Sequence, residues 1–230
     1  MATSDTVREG NAGAVASHRT ADAGTLFVFE GPDGVGKTSI VTEVRSALSV
    51  TTARPVVQLA FPGRQPGTLG HHVYQLHHDS AQFGVNRMAP ASLQLLHVAA
   101  HLDAIDTIIR PQIEQGAIVL LDRYWWSTWV YGVTGGADQR TLRAMIDLER
   151  VHWGNLSPAA LFLGRRRTSL RPEEEDKGGF NQLRVEYDNL AAAEAATTRI
   201  IPIDNEGELS ESTTAVLRAI RETLTDAVRL

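Results

Sequence analysis

The stretch Gly31-Pro32-Asp33-Gly34-Val35-Gly36-Lys37-Thr38 fits the pattern G-x-x-x-x-G-K-[ST] without a gap. Its surroundings suit that pattern. The apolar run 26–29 leads straight into it, and the amphipathic stretch 37–48 follows, giving strand, loop and helix in order. The glycines let the backbone turn tightly and aim its N–H groups inward, and the following helix adds its positive end. Lys37 is expected to reach the β- and γ-phosphates of ATP, and the Thr38 hydroxyl to ligate Mg²⁺. With Ser39 beside them, residues Gly31, Asp33, Gly34, Val35, Gly36, Lys37 and Thr38 form the candidate ATP site.

Outward from this loop, short apolar runs alternate with longer helical patterns. Runs 26–29, 56–60, 118–121, 160–163 and 200–203 suit buried parallel strands. Stretches 37–48, 90–114, 142–151, 181–195 and 212–228 read as helices. This alternation predicts an α/β fold, a parallel sheet wound on both faces. Ligands in such a sheet sit beyond the carboxyl ends of the strands. The polar segments 31–38, 61–68 and 122–131 all fall there.

The bulk numbers narrow the function classes. A chain of 230 residues with 43% hydrophobic content can pack one sizeable domain. Residues 1–24, rich in Ala, Gly, Ser, Thr and Asp, read as a disordered tail ahead of a single domain at 25–230. A net charge of −5 argues against a nucleic-acid partner. No apolar run is long enough for a membrane span, and no signal-peptide pattern opens the chain. The absence of cysteine excludes disulfides and thiolate catalysis. A cytoplasmic location is the expectation.

Asp122 ends the apolar run 118–121, where a second Mg²⁺ handle belongs, and Arg123 beside it offers a planar fork to phosphate. Three motifs together resemble the thymidylate kinase family. They are Phe29-Glu30-Gly31 continuing to Thr38; Asp122-Arg123-Tyr124 followed by Ser127 and Tyr131; and Phe61-Pro62 with Arg64-Gln65-Pro66-Gly67-Thr68. The resemblance spans about residues 25–225 and is densest up to Tyr131. It implies a P-loop kinase fold, a five-stranded parallel sheet sandwiched by helices. It also implies transfer of the ATP γ-phosphoryl to dTMP or a related nucleotide, with ATP and Mg²⁺ as cofactors. By position, Lys37, Arg123, Asp122 and Asp33 are the implied catalytic set. Thr38 and Asp122 serve the metal. Phe61, Arg64, Arg123, Ser127 and Tyr131 line the acceptor site, with Tyr131 disfavouring a 2′-hydroxyl. The family also commonly forms homodimers, and helix 90–114 with the Trp-rich segment after Asp122 could supply the surface.

The polar segment 164–179 is a candidate lid. In the family, a P-loop without a basic residue between its glycines goes with lid arginines that act on the phosphates. Val35 fills that slot here, so one of Arg165, Arg166, Arg167 and Arg171 is the substitute. The base-contact positions depart from the family. Where relatives show Phe-Ala-Ala-Asp-Arg, this chain has His97-Val98-Ala99-Ala100-His101. A histidine can stack and hydrogen-bond, but it cannot present the same charged fork. The two histidines share a helix face, so a metal pair and plain packing stay open beside base contact. His71-His72 and His77-His78 read as a solvated surface. Two further functions also stay open. One is a kinase for a modified nucleotide, nucleoside or small metabolite, with Glu30 or Asp33 as base for a nucleoside hydroxyl. The other is a nucleotide-binding protein without turnover.

Overall fold

The computed structural model describes residues 24–172 and 179–228. Most of the expected tail and the core of the expected lid, 173–178, lie outside these residues. Gly24 corrects the tail boundary: it is buried, and its N–H donates to Ile113 O at 2.9 Å.

The five strands are β1 (Thr25–Glu30), β2 (Val56–Ala60), β3 (Ile118–Asp122), β4 (Ala160–Arg165) and β5 (Ile200–Asp204). They form one parallel sheet in the order β2-β3-β1-β4-β5. Alternation along each strand splits the core into two layers. Phe27, Phe29, Leu120 and Phe162 face Ile40, Val41 and Val44 of α1 (Lys37–Ser49), and Val216 and Ile220 of α8 (Leu209–Val228). Phe29 and Phe162 stack with centroids 5.0 Å apart. Each such buried ring contributes about 1.5–3 kcal/mol.

The opposite layer packs Leu26, Val28, Leu121 and Leu163 against helices on the other face. These include α5 (Trp125–Thr134), α6 (Gln139–Trp153) and α7 (Phe180–Glu194). Trp125 and Trp126 of the Trp-rich segment are buried in this core together with Trp153, and Trp129 is half-buried against it.

The helix expected over 90–114 is broken into three pieces. It runs as α3 (Pro90–Ala104), a π-helical turn (Ile105–Ile109) and α4 (Arg110–Glu114). Pro111 lacks an N–H, and its ring crowds the carbonyl four residues back, so the turn ahead of it widens. Helix α2 (Leu69–His78) follows the 61–68 segment, with the Thr68 hydroxyl accepting from His71 N at 3.2 Å as its N-cap. Among the described residues, no helix is long and apolar enough to cross a membrane.

Candidate active site

The site opens at the carboxyl ends of β1 and β3, where the sheet order reverses direction around its central strand. The loop leaving β1 is pinned from several sides. Gly31 has φ 132°, and a Cβ there would come within 2.5 Å of Gly164 O. Only glycine allows that approach. Lys37 Nζ donates to Gly31 O at 2.7 Å and Pro32 O at 2.8 Å, so the lysine bridges the loop mouth. Burial pushes the Lys37 pKa down, Arg123 adds to that, and Asp122, Asp33 and Glu30 oppose it. Asn205, just past β5, donates from Nδ2 to Val35 O at 2.9 Å and accepts from Ser212 Oγ at 2.9 Å. Ser39 points to solvent.

Thr38 Oγ1 donates to Asp122 Oδ2 at 2.8 Å, joining the P-loop helix to the end of β3. The other oxygen, Asp122 Oδ1, is buried without a hydrogen-bond partner among the described residues. A buried carboxylate oxygen in that condition fits a hydrated divalent cation.

The neighbouring cluster is built on Arg123, the one described non-glycine residue with positive φ, at 77°. Its N–H donates to Phe29 O at 2.9 Å, which holds the strained turn against β1. The guanidinium pairs with Asp33 Oδ1, donates to Ser127 Oγ at 3.1 Å and lies over the Tyr131 ring, 5.1 Å from its centroid. Tyr131 Oη donates to Asp33 Oδ2 at 2.8 Å and accepts from Asp33 N at 3.0 Å. Burial pushes the Asp33 carboxyl up, but Arg123, Lys37 and the Tyr131 hydrogen bond outweigh it and hold the pKa at about 2. Burial raises the Tyr131 pKa.

Glu30 was a candidate base for a nucleoside hydroxyl, and the structure gives it another job. It is fully buried. Its Oε1 accepts from Tyr124 N at 2.6 Å and Ser127 N at 3.0 Å, and its Oε2 from Ser127 Oγ at 2.8 Å and Tyr187 Oη at 3.0 Å. Both oxygens are committed to the N-terminal turn of α5 and to α7. Burial raises the Glu30 pKa. Asp33 is similarly engaged by Arg123 and Tyr131, so neither carboxylate is free to take a proton from a hydroxyl.

The remaining acceptor-side residues spread along the cleft. Phe61 is buried at the end of β2, and Arg64 lies exposed over the Tyr74 ring, 4.9 Å from its centroid. His101 is buried too. Its ring stacks on Phe61 at 4.0 Å, and its Nδ1 is 3.0 Å from Glu149 Oε2. His97 Nε2 meets His77 Nδ1 at 3.2 Å. Burial, with repulsion from His101, His77 and Arg123, lowers the His97 pKa to about 2. The two rings are 6.3 Å apart at 80°, each bonded elsewhere. His77 is exposed, as its sequence position suggests, and this contact ties it to His97.

In the lid region, Leu170 N donates to Gly34 O at 2.8 Å, so this segment crosses the P-loop. Arg165 pairs with Asp188 at 2.7 Å, Arg166 bonds Asn205 O, and Arg167 lies by Glu206. Of the four arginines, Arg171 is the one whose charge reaches Asp33. A shallow cleft runs between Pro32, Arg166, Arg184 and Tyr187. Asn205, Tyr187 and Glu149 were missed as site residues in the sequence, and Glu30 was assigned a role it does not have. Asn205 carried a signal, since it lies two positions past the apolar run 200–203, at the sheet edge that holds ligands.

Comparison with known proteins agrees with this geometry. A family model for thymidylate kinase matches residues 29–214. The chain is 30% identical over 202 residues to the thymidylate kinase of Caulobacter vibrioides, covering 84% of this chain and 94% of that one. It is 30% identical over 218 residues to the thymidylate kinase of Nitrobacter winogradskyi, covering 86% and 89%. Among solved structures, thymidylate kinase from Ehrlichia chaffeensis shares the fold with a TM-score of 0.67 at 21% identity, over 86% of this chain and 99% of that one.

Proposed function

Because the chain belongs to the thymidylate kinase family, we propose that it transfers the γ-phosphoryl group of ATP to the 5′-phosphate of dTMP. The observation that carries this reading is the pair of cations that act on Asp33: Arg123, which pairs with it, and Lys37, whose charge also lowers its pKa. Lys37 belongs to the ATP loop and Arg123 to the acceptor cluster. An oxygen of the acceptor phosphate attacks the γ-phosphorus, the bond to the bridging oxygen breaks, and ADP leaves. That nucleophile is already anionic, so no general base is needed. This agrees with Glu30 and Asp33 being fully engaged by other groups. The protein's work is to align two phosphates and neutralise their charge.

Thr38 and Asp122 would hold Mg²⁺, as the unpartnered Asp122 Oδ1 supports. The ion would screen the ATP phosphates. Tyr131, bonded to Asp33, would pack under the acceptor sugar. Arg171 is our choice among the lid arginines, because its charge reaches Asp33. The proposal includes base contacts rebuilt around His97 and His101. It also includes a homodimer, for which Leu95 of α3 with Leu148 and Val151 of α6 remain exposed, and action in the cytoplasm.

The test is ADP release from ATP and Mg²⁺ with each nucleoside and nucleoside monophosphate. ADP formed with dTMP is the expected result. ADP formed only with another acceptor overturns the dTMP assignment, and ATP binding without turnover on any acceptor overturns the kinase reading. Turnover of dTMP at ordinary family efficiency would sink the rebuilt base contacts alone.

A further inference from the structure

Glu149 is a fully buried carboxylate with no part in the transfer described above. It lies on α6, and both of its oxygens are used. Oε1 accepts from Trp153 Nε1 at 3.3 Å, and Oε2 is 3.0 Å from His101 Nδ1. An indole nitrogen only donates, and an ionised carboxylate only accepts. The hydrogen on the His101 side of this contact therefore sits on Nδ1. Phe61, stacked at 4.0 Å and 12°, fixes the plane of the same ring. His101 is 2% exposed, so the ring has little room to turn. Its Nε2 has no hydrogen-bond partner among the described residues. His97 stands edge-on to the ring at 6.3 Å, and His97 in turn feels the charge of Arg123.

We propose that Glu149 is a positioning residue for acceptor discrimination. By holding His101 in the Nδ1–H tautomer, it presents the Nε2 lone pair to the N3–H of a thymine-type base. This rests on the dTMP reading of the same site. The partner of a ring nitrogen decides which tautomer the other nitrogen shows to a ligand. Thymine carries hydrogen on N3. A 4-amino pyrimidine carries a lone pair there, which would face the Nε2 lone pair and leave both without a donor. An unmet contact of this kind costs about tenfold to a hundredfold in preference. The pair His101–Glu149 thereby recovers a polar contact to the base edge at a position that the sequence has stripped of its arginine.

The test compares dTMP with the 5-methyl-2′-deoxycytidine monophosphate, which keeps the methyl group and changes only the base edge. In Glu149→Gln the amide oxygen accepts from Trp153, and the amide NH₂ donates to Nδ1, which moves the hydrogen to Nε2. The wild type should favour dTMP in kcat/KM, and Glu149→Gln should narrow or reverse that ratio by about tenfold or more. The KM for ATP should not change, which a merely structural role would not spare. Nitrogen-15 spectra of the histidine rings, with the His101 signals assigned by their loss in His101→Gln, should show Nδ1–H in the wild type. If Glu149→Gln folds poorly, His101→Gln serves in its place, since its amide can offer either group and should bring the ratio near one. An unchanged ratio in a folded variant, or Nε2–H in the wild type, overturns the proposal. Failure of the wild type to use either nucleotide overturns the dTMP reading itself, a result separate from an unchanged ratio.

Discussion

The ATP side and the acceptor side of the cleft are built differently. The ATP side is almost one continuous segment, 31–39, closed by Asp122 and Asn205. The acceptor side is gathered from β1, α2, α3, α5, α6 and α7, through contacts that span 20 to 157 positions in sequence. A contiguous loop is set by its own backbone preferences. A gathered site depends on the whole core holding its elements in register. Changes on the ATP side should therefore remove chemistry and leave stability near normal. Changes on the acceptor side should disturb affinity and stability together.

The largest expected effect tests the first half of that contrast. Lys37→Ala should lower kcat by about 10³-fold, because the cation facing the transferring group is lost. Thermal unfolding should move little. A variant that keeps near wild-type turnover would remove Lys37 from the chemistry.

Arg123→Ala follows at about 10²-fold in kcat/KM for the acceptor. It also removes the partner of Asp33 and the stack on Tyr131, so a measurable fall in stability should accompany it. A loss confined to the KM for ATP would break the assignment of Arg123 to the acceptor.

Glu30→Ala is the stability counterpart. It would strand the buried donors Tyr124 N, Ser127 N and Tyr187 Oη, and should cost about 2–4 kcal/mol in urea unfolding. The turn that carries Arg123 should loosen with it, so acceptor KM should rise in whatever fraction stays folded. A variant as stable as the wild type would show that α5 is held by other contacts.

The same contrast explains what could be read from sequence. The P-loop and all five strands were legible, because a loop motif and buried strands are local patterns. Asp122 was legible because it terminates one of those strands. Helix α2 was not, since its cap, Thr68, sits inside a segment that reads as loop. The break in the 90–114 helix was not foreseen because Pro111 looks tolerable near a helix end, while its effect falls on the preceding turn. Glu149 and Tyr187 are ordinary positions on amphipathic helices. Only packing brings one against His101 and the other against Glu30. Glu30, beside the P-loop, reads as available to a substrate until the fold turns it inward.

The smallest expected effect concerns Asp33, the residue shared by the two sides. Its folded pKa of about 2 lies below its ordinary value of 3.8. A carboxyl lowered on folding contributes stability above its unfolded pKa and loses it as pH falls through the folded value. The window is therefore about pH 4 down to about pH 2. Tyr131→Phe deletes both hydrogen bonds with Asp33, and losing the one donated to its carboxylate should raise the folded pKa toward the ordinary one. The variant should be less stable than the wild type at pH 5, and the gap should narrow as the pH approaches 2.5, because protonation removes the same term from both. Asp33 is 36% exposed, so solvent screening keeps this effect modest. Urea unfolding of both proteins at the two pH values measures it. A gap that stays constant or widens toward low pH would mean that the Tyr131 hydroxyl stabilises the fold through the bond it accepts from Asp33 N and not through the Asp33 charge. The Asp33 carboxylate would then owe its low pKa to the cations around it, Arg123 first.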